Sequence, residues 1–372
     1  MRKKDNFFIN AENSSFSPKN PLIIAELGTS HNVYIEKAKE MVQAAAETGA
    51  DCVKFQMVFA DEILHPKTGE VELPGGKIRL YDRFKALEAP LEFYEQIKEY
   101  VESMGLLFLC TPFGMKSAEI LKKIQPKIVK IASPELNYTG LLEEIANWGL
   151  PVLLSSGVSR LSDIETAVSI LKPASRLCLL HCVTSYPAPE TDYNLNVLPN
   201  LSGIFGVPVG VSDHSADPEL VPALSVSVGA SVIEKHFCLS KTDPGLDDPI
   251  ALPPDEFSRM VRAVRKAAQA GPQETLAFYS RERGEDIVRK ILGNGVKELA
   301  PSEEANYRRT NRSIHALRDI QKGEILKKGD YAVLRTEKIL RPGLEPCWEK
   351  LIEGRVARNL IPSGEGIRFE DI

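Results

Sequence analysis

Arg176-Leu-Cys-Leu-Leu-His-Cys182, Pro208-Val-Gly-Val-Ser-Asp-His214 and Ser231-Val-Ile-Glu-Lys-His-Phe237 are three short apolar runs built to one plan. Each is aliphatic along its length and turns polar at its end. Between them, residues 194–201 and 218–228 fit a 3.6-residue period. Strand, helix and strand in alternation predict parallel strands with helices outside them. Upstream the same plan recurs at residues 22–27, 52–56, 106–110, 128–132 and 152–155, which brings the strands to eight. The helical stretches are 35–48, 91–104, 116–124, 139–148, 161–171 and 255–270, with Ala38, Met41, Val42 and Ala45 on one face of the first. Gly49, Gly105, Gly149, Gly229 and Gly271 stand where helices should end and accept the left-handed C-terminal turn. Eight such units predict a (β/α)8 TIM barrel within residues 1–272. The alternative, an open doubly wound sheet, lacks a Gly-rich dinucleotide loop to support it.

The plan has one long interruption, residues 57–90, which reads as a lid at the barrel mouth. Beyond Gly271 it stops. Residues 273–309 are charged and irregular and read as a linker with one helix near 283–292. Residues 310–372 read as a small β-rich module. They contain an echo, Ile320-Gln-Lys-Gly323 to Asp330 and Leu360-Ile-Pro-Ser-Gly364 to Asp371, with Gly and Asp seven residues apart both times.

The chain has 372 residues and a formal charge of −5, with no basic stripe for nucleic acid. The six cysteines show no metal-finger spacing and suit a reducing cytoplasm. Met1-Arg-Lys-Lys is not followed by the apolar stretch of a signal peptide, and no run is long enough to span a membrane. A soluble, cytoplasmic protein is expected.

Barrel active sites lie at the C-terminal strand ends. Here those ends carry Glu26, Lys54 and Gln56, Thr111 to Phe113, Lys130 with Ser133 and Glu135, Ser155, Thr184 and Tyr186, Ser212-Asp213-His214, and Glu234 with His236. Lys54, Lys130, Glu234 and His236 have apolar flanks, and buried charges need partners or a ligand. His214 and His236 end neighbouring strands, roughly 4.8 Å apart, so both imidazoles can reach one metal; two hydrogen-bonded core histidines would leave the same trace. Asp213 and Glu234 beside them are candidate ligands, orienting groups or bases. Lys54 and Lys130 with the hydroxyls of Thr111, Ser133, Ser155 and Ser212 describe an anion cradle. Glu26 and Glu135 are candidate proton carriers, or ion-pair partners of the two lysines.

These segments resemble the sialic acid synthase family of N-acetylneuraminate, legionaminate and pseudaminate synthases. The resemblance rests on Ile24-Ala-Glu26-Leu-Gly28 with His31, Val53-Lys54-Phe-Gln56, Thr111-Pro-Phe113 and Lys130-Ile-Ala-Ser133-Pro-Glu135. Ser155-Ser-Gly157, His181-Cys182, Tyr186-Pro187, Ser212-Asp213-His214 and Glu234-Lys-His236-Phe237 continue it. Residues 311–371 resemble the SAF, or antifreeze-like, domain that ends these enzymes. The resemblance implies condensation of phosphoenolpyruvate with N-acetylmannosamine or a related N-acylated amino sugar, with release of phosphate. It implies a divalent metal on His214 and His236, Mn2+ first and Mg2+ or Co2+ as alternatives. Lys54, Thr111, Lys130, Ser133, Ser155, Thr184 and Ser212 would meet phosphoenolpyruvate. Gln56, Phe113, Tyr186 and Asp247 would line the sugar side, and Glu26, Glu135, Glu234 and Asp213 would serve the chemistry. Arg312 would reach a partner subunit's site in a domain-swapped homodimer. The sequence departs from the family at Ser30 and Val33, where Asn and Gly are usual, and around Asp247 and Thr184. Two rivals are a different metal-dependent barrel aldolase or hydrolase, and a non-catalytic carbohydrate-binding or assembly protein.

Overall fold

The computed structural model describes residues 7–9, 14–73, 76–174, 176–337 and 339–372. Eight parallel strands form its centre: β1 Leu22–Gly28, β2 Cys52–Met57, β3 Leu107–Pro112, β4 Val129–Ile131, β5 Pro151–Ser155, β6 Arg176–Cys182, β7 Val209–Asp213 and β8 Val232–His236. They pair in the order β3-β2-β1-β8-β7-β6-β5-β4, and β3 and β4 pack side by side to close the ring. This is the expected barrel. Helices between the strands form the outer ring; Ile35–Glu47 buries one stripe, Ala38, Met41, Val42 and Ala45, whereas Leu220–Ser227 is buried all round.

Strand alternation sets the two faces. Leu22, Ile24, Cys52, Leu109, Ile128, Leu153, Cys178, Leu180 and Val232 pack together inside the barrel, while Ile23, Ala25, Val53, Phe55, Leu154 and Val211 pack outward under the helices. Two residues further along the inward face, the same strands turn polar: Glu26, Lys54, Thr111, Lys130, Ser155, Ser212 and Glu234 are all buried. The interior is thus an apolar plug beneath a polar mouth. A strand pair of Phe7–Ile9 with Ser14–Phe16 lies at the other end, with Phe16 against the plug.

The insertion after β2 folds as short helices at Ala60–Ile63 and Leu80–Ala86 around a hairpin, Glu70–Leu73 with Gly76–Arg79. Its apolar side, including Ile63, Leu64, Phe84 and Leu87, packs on Phe113. The stretch beyond Gly271 holds two helices, Pro272–Arg283 and Glu285–Leu292, where one was expected. The first buries only Thr275 and Tyr279, so its apolar period is faint. Gly284, at φ 95°, makes the joint.

In the tail, β9 Arg312–Ala316 pairs antiparallel with β10 Tyr331–Arg335 over a core of Ile314, Ile320, Leu326, Val333, Ile352, Ile361 and Ile367. The sequence echo has a structural basis. Ile320 and Ile361 exchange two backbone hydrogen bonds of 2.9 Å. Asp330 and Asp371 each accept the N–H three residues back, from Lys327 and Arg368. Asn137 joins the module to the barrel by exchanging two hydrogen bonds with the Arg312 backbone, 3.0 and 2.9 Å. Among the described residues, no helix is long and apolar enough to cross a membrane.

Candidate active site

Four charges meet inside the mouth. Lys54 Nζ lies 2.7 Å from Glu234 Oε1 and 3.4 Å from Glu26 Oε2, and Lys130 Nζ lies 3.6 Å from the same Glu234 oxygen. Ser212 Oγ donates to Glu234 Oε1 at 2.8 Å, and Gln56 Nε2 donates to Glu26 Oε1 at 2.8 Å. The two carboxyls titrate in opposite directions. Burial pushes Glu234 up, but Lys130 and Lys54 outweigh it and hold the group at about 2. Burial dominates at Glu26; Lys54 offsets it only in part, and the carboxyl sits at about 7. Burial lowers Lys130 to about 8, although Glu234 favours its charge. Lys54 and Lys130 thus face one carboxyl held low by them and one raised by burial.

The hydroxyls surround this centre. Thr111 Oγ1, Ser155 Oγ and the second oxygen of Glu234 are buried without a hydrogen-bond partner. Buried polar atoms are rarely orphaned. The two hydroxyls can donate, and beside Lys54 and Lys130 they describe a site shaped for an oxyanion. Ser133 Oγ accepts the Gly157 N–H at 3.0 Å. A methyl group at Gly157 would collide with the Ser133 and Thr184 hydroxyls and have to displace one of them.

On the opposite wall the His214 and His236 rings lie 5.4 Å apart, and the half-exposed Tyr186 ring packs on His214 at 4.3 Å. His214 Nδ1 is bonded to the Val183 carbonyl at 2.9 Å, which leaves Nε2 for a ligand. Asp247 Oδ2 stands 3.9 Å from His236 Nδ1, and burial lifts its carboxyl to about 6. Among the described residues, no group of three or more His, Cys, Asp or Glu is arranged to hold a metal. The donors fit a cation that takes two imidazoles from the protein and oxygen from water or substrate for the rest.

Three expected site residues make structural contacts. Asp213 does not face the mouth. One residue past Ser212 on a pleated strand, it points outward, pairs with Lys235, and accepts from the Ser215 N–H and hydroxyl at 2.9 and 3.0 Å. It is a structural ion pair, not a base or ligand. Glu135 is shared with the tail module: its Oε1 receives Arg312 Nε at 3.1 Å and Arg335 Nη2 at 2.9 Å, which makes it the module's anchor, while its Oε2 is buried without a partner. Arg312 is held inside its own chain rather than extended away from it. Within its own chain it binds Glu135 and the carbonyls of Glu62, Ile63, Phe113 and Val333, so its donors are spent. Within this chain the tail roofs the mouth.

Sequence reading missed Arg335. It ends β10, its guanidinium lies over the Phe113 ring at 5.3 Å, and its Nε is buried without a partner. Among 46 lysines and arginines nothing in the sequence singles it out; only the fold brings it to the roof. Val33, where the family shows Gly, takes φ 65°, a conformation that favours glycine.

Fold and site together define a TIM-barrel protein with a cationic cradle at its mouth and an SAF domain behind it. A NeuB family model matches residues 41–275 and an SAF domain model matches residues 311–372. The chain belongs to the NeuB family, a family of sialic and related nonulosonic acid synthases. It is 35% identical to the spore coat polysaccharide biosynthesis protein SpsE of Bacillus subtilis, over 94% of this chain and 93% of that one. The crystal structure of SpsE superposes with a TM-score of 0.81 at 32% identity, covering 99% of each chain. The N,N'-diacetyllegionaminic acid synthase of Legionella pneumophila is 35% identical over 84% of this chain and 85% of its own. The pseudaminic acid synthase of Campylobacter jejuni is 33% identical over 95% and 97%.

Proposed function

We propose that this chain condenses phosphoenolpyruvate with the open-chain form of an N-acylated amino sugar, giving a nonulosonic acid and phosphate. The observation that carries this reading is the cradle: two buried lysines ringed by orphaned hydroxyls. Such a cradle suits an enol phosphate with a carboxylate beside it.

In this reading Lys54 and Lys130 neutralise phosphoenolpyruvate, and Thr111, Ser133, Ser155, Thr184 and Ser212 fix its orientation. Carbon 3 forms the new bond to the aldehyde carbon, and the aldehyde oxygen takes up a proton. Water adds at carbon 2, its proton passing to Glu26, whose carboxyl is poised near 7 for that task. The bond from carbon 2 to the phosphate oxygen then breaks, and phosphate leaves. Gln56 holds Glu26 in place and, with Tyr186 and Asp247, lines the acceptor side. Arg335, not Arg312, offers its free Nε–H to the acceptor's acyl oxygen. His214 and His236 would hold a divalent cation, Mn2+ before Mg2+ or Co2+, which would supply Lewis acidity to the aldehyde oxygen.

The test is phosphate release from phosphoenolpyruvate with Mn2+, using N-acetylmannosamine and then 2,4-diacetamido sugars of the legionaminic and pseudaminic series. Release that requires one of these sugars supports the reading and names the acceptor. Release independent of any sugar would replace it with a phosphatase.

A further inference from the structure

Three side chains at the junction of the linker and the tail module reach back into the barrel and bond the loops that flank the cradle. Val158 follows β5 and Thr184 follows β6; both are buried, and each presents an N–H and a carbonyl that the barrel strands do not pair. Glu303 Oε2 accepts both N–H groups, from Val158 at 3.1 Å and from Thr184 at 2.8 Å. Asn306 Nδ2 donates to the Thr184 carbonyl at 3.3 Å, and Asn311 Nδ2 donates to the Val158 carbonyl at 3.1 Å. All four backbone groups are thus satisfied from outside the barrel.

We propose that Glu303, Asn306 and Asn311 are positioning residues of the anion cradle, which they hold at the spacing that phosphoenolpyruvate requires. This rests on the reading of the mouth as a phosphoenolpyruvate site. Three observations favour it over a mere tether for the linker. Glu303 is 1% exposed, and a single oxygen of it accepts both N–H groups, which ties the two loops to one buried atom. Val158 is a β-branched residue at φ 42°, a conformation that persists only where surroundings enforce it. The two loops so joined carry Gly157 and Thr184, and Gly157 sits against the hydroxyls of Ser133 and Thr184 with no room for a methyl group. A shift of either loop opens that gap and displaces the cradle hydroxyls. Asn311 also adjoins Arg312, which anchors the module on Glu135, so module docking and cradle geometry share one short segment.

The test is calorimetric titration of phosphoenolpyruvate into the full-length protein and its Glu303→Ala, Glu303→Gln and Asn306→Ala variants, well below their melting temperatures. Glu303→Ala should weaken binding roughly ten- to a hundredfold, the loss expected when a charge-assisted acceptor is removed from buried donors, and Asn306→Ala roughly two- to tenfold. Glu303→Gln, which keeps an acceptor oxygen, should bind within a few-fold of wild type. A purely structural role would lower the melting temperature of these variants and leave the affinity of the folded protein alone. Alanine variants that bind within twofold of wild type would overturn the proposal, as would a Gln variant as impaired as the Ala one. If Glu303→Ala does not fold, Asn306→Ala decides. A wild-type protein that binds no phosphoenolpyruvate overturns the reading of the mouth itself, an outcome distinct from unchanged variants.

Discussion

Glu26 and Glu234 share Lys54 and end adjacent strands, yet they sit at about 7 and about 2. The difference is the second lysine, which Glu234 meets closely and Glu26 does not. Glu26 therefore becomes a carboxylate only as pH rises through 7, and a base role makes the rate climb over that window. Glu26→Gln should lower kcat at least ~100-fold and remove the rise from the pH profile of kcat/KM; a rise that survives in the residual activity would take the proton transfer away from Glu26. The two arginines on Glu135 should separate in the same way. Arg312→Ala strips a carboxylate and four carbonyls of their donor and should cost about 3–5 kcal/mol of stability, seen in denaturant unfolding. Arg335→Ala should instead raise the acceptor KM by roughly tenfold while phosphoenolpyruvate affinity stays within twofold. These opposite assignments were not legible in the sequence, because both residues are simply arginines in a tail module and only tertiary contacts decide which one is spent.

Strands and loops were far more legible. A buried parallel strand reads as an apolar run, and its polar C-terminal end marks the mouth, so Glu26, Lys54, Lys130, Ser155, Ser212 and Glu234 could be placed from sequence. The same reasoning went wrong at Asp213, where one step along a pleat exchanges mouth for outer layer. It was also silent on the helix Pro272–Arg283, which rests on its neighbours with too little apolar surface to leave a period. The echo in the tail was legible because each half closes on its own Gly and Asp. At this scale Gly157 is the most exacting element junction. Gly157→Ala should fold, since its backbone is not left-handed, yet lose at least tenfold in phosphoenolpyruvate affinity by calorimetry, because the methyl group must displace Ser133 or Thr184. Wild-type affinity in that variant would mean the hydroxyls there do not touch the ligand.

Over the whole molecule, the barrel supplies two half-sites that act on different partners. The lysine cradle lies on β2 and β4, and the histidine pair lies at the ends of β7 and β8. Removing divalent metal with a chelator should therefore abolish turnover but leave phosphoenolpyruvate binding within about threefold, because both cradle lysines are paired to Glu234 and neither to a histidine. Loss of both together would merge the half-sites into one. The tail roofs the mouth of its own chain through contacts such as Arg312 with Glu135, 177 positions apart. Contacts of that range carry no local pattern, and the roof could be expected from sequence only through the resemblance of residues 311–371 to an SAF domain. The central claim is a carbon–carbon bond formed with cleavage between carbon and the bridging oxygen of phosphoenolpyruvate. It is tested most directly with phosphoenolpyruvate labelled at that oxygen with 18O, followed by mass spectrometry of both products. The expected result is label in the phosphate and a sugar acid whose mass is the acceptor plus the three-carbon unit; label left in pyruvate, with the acceptor unchanged, would contradict it.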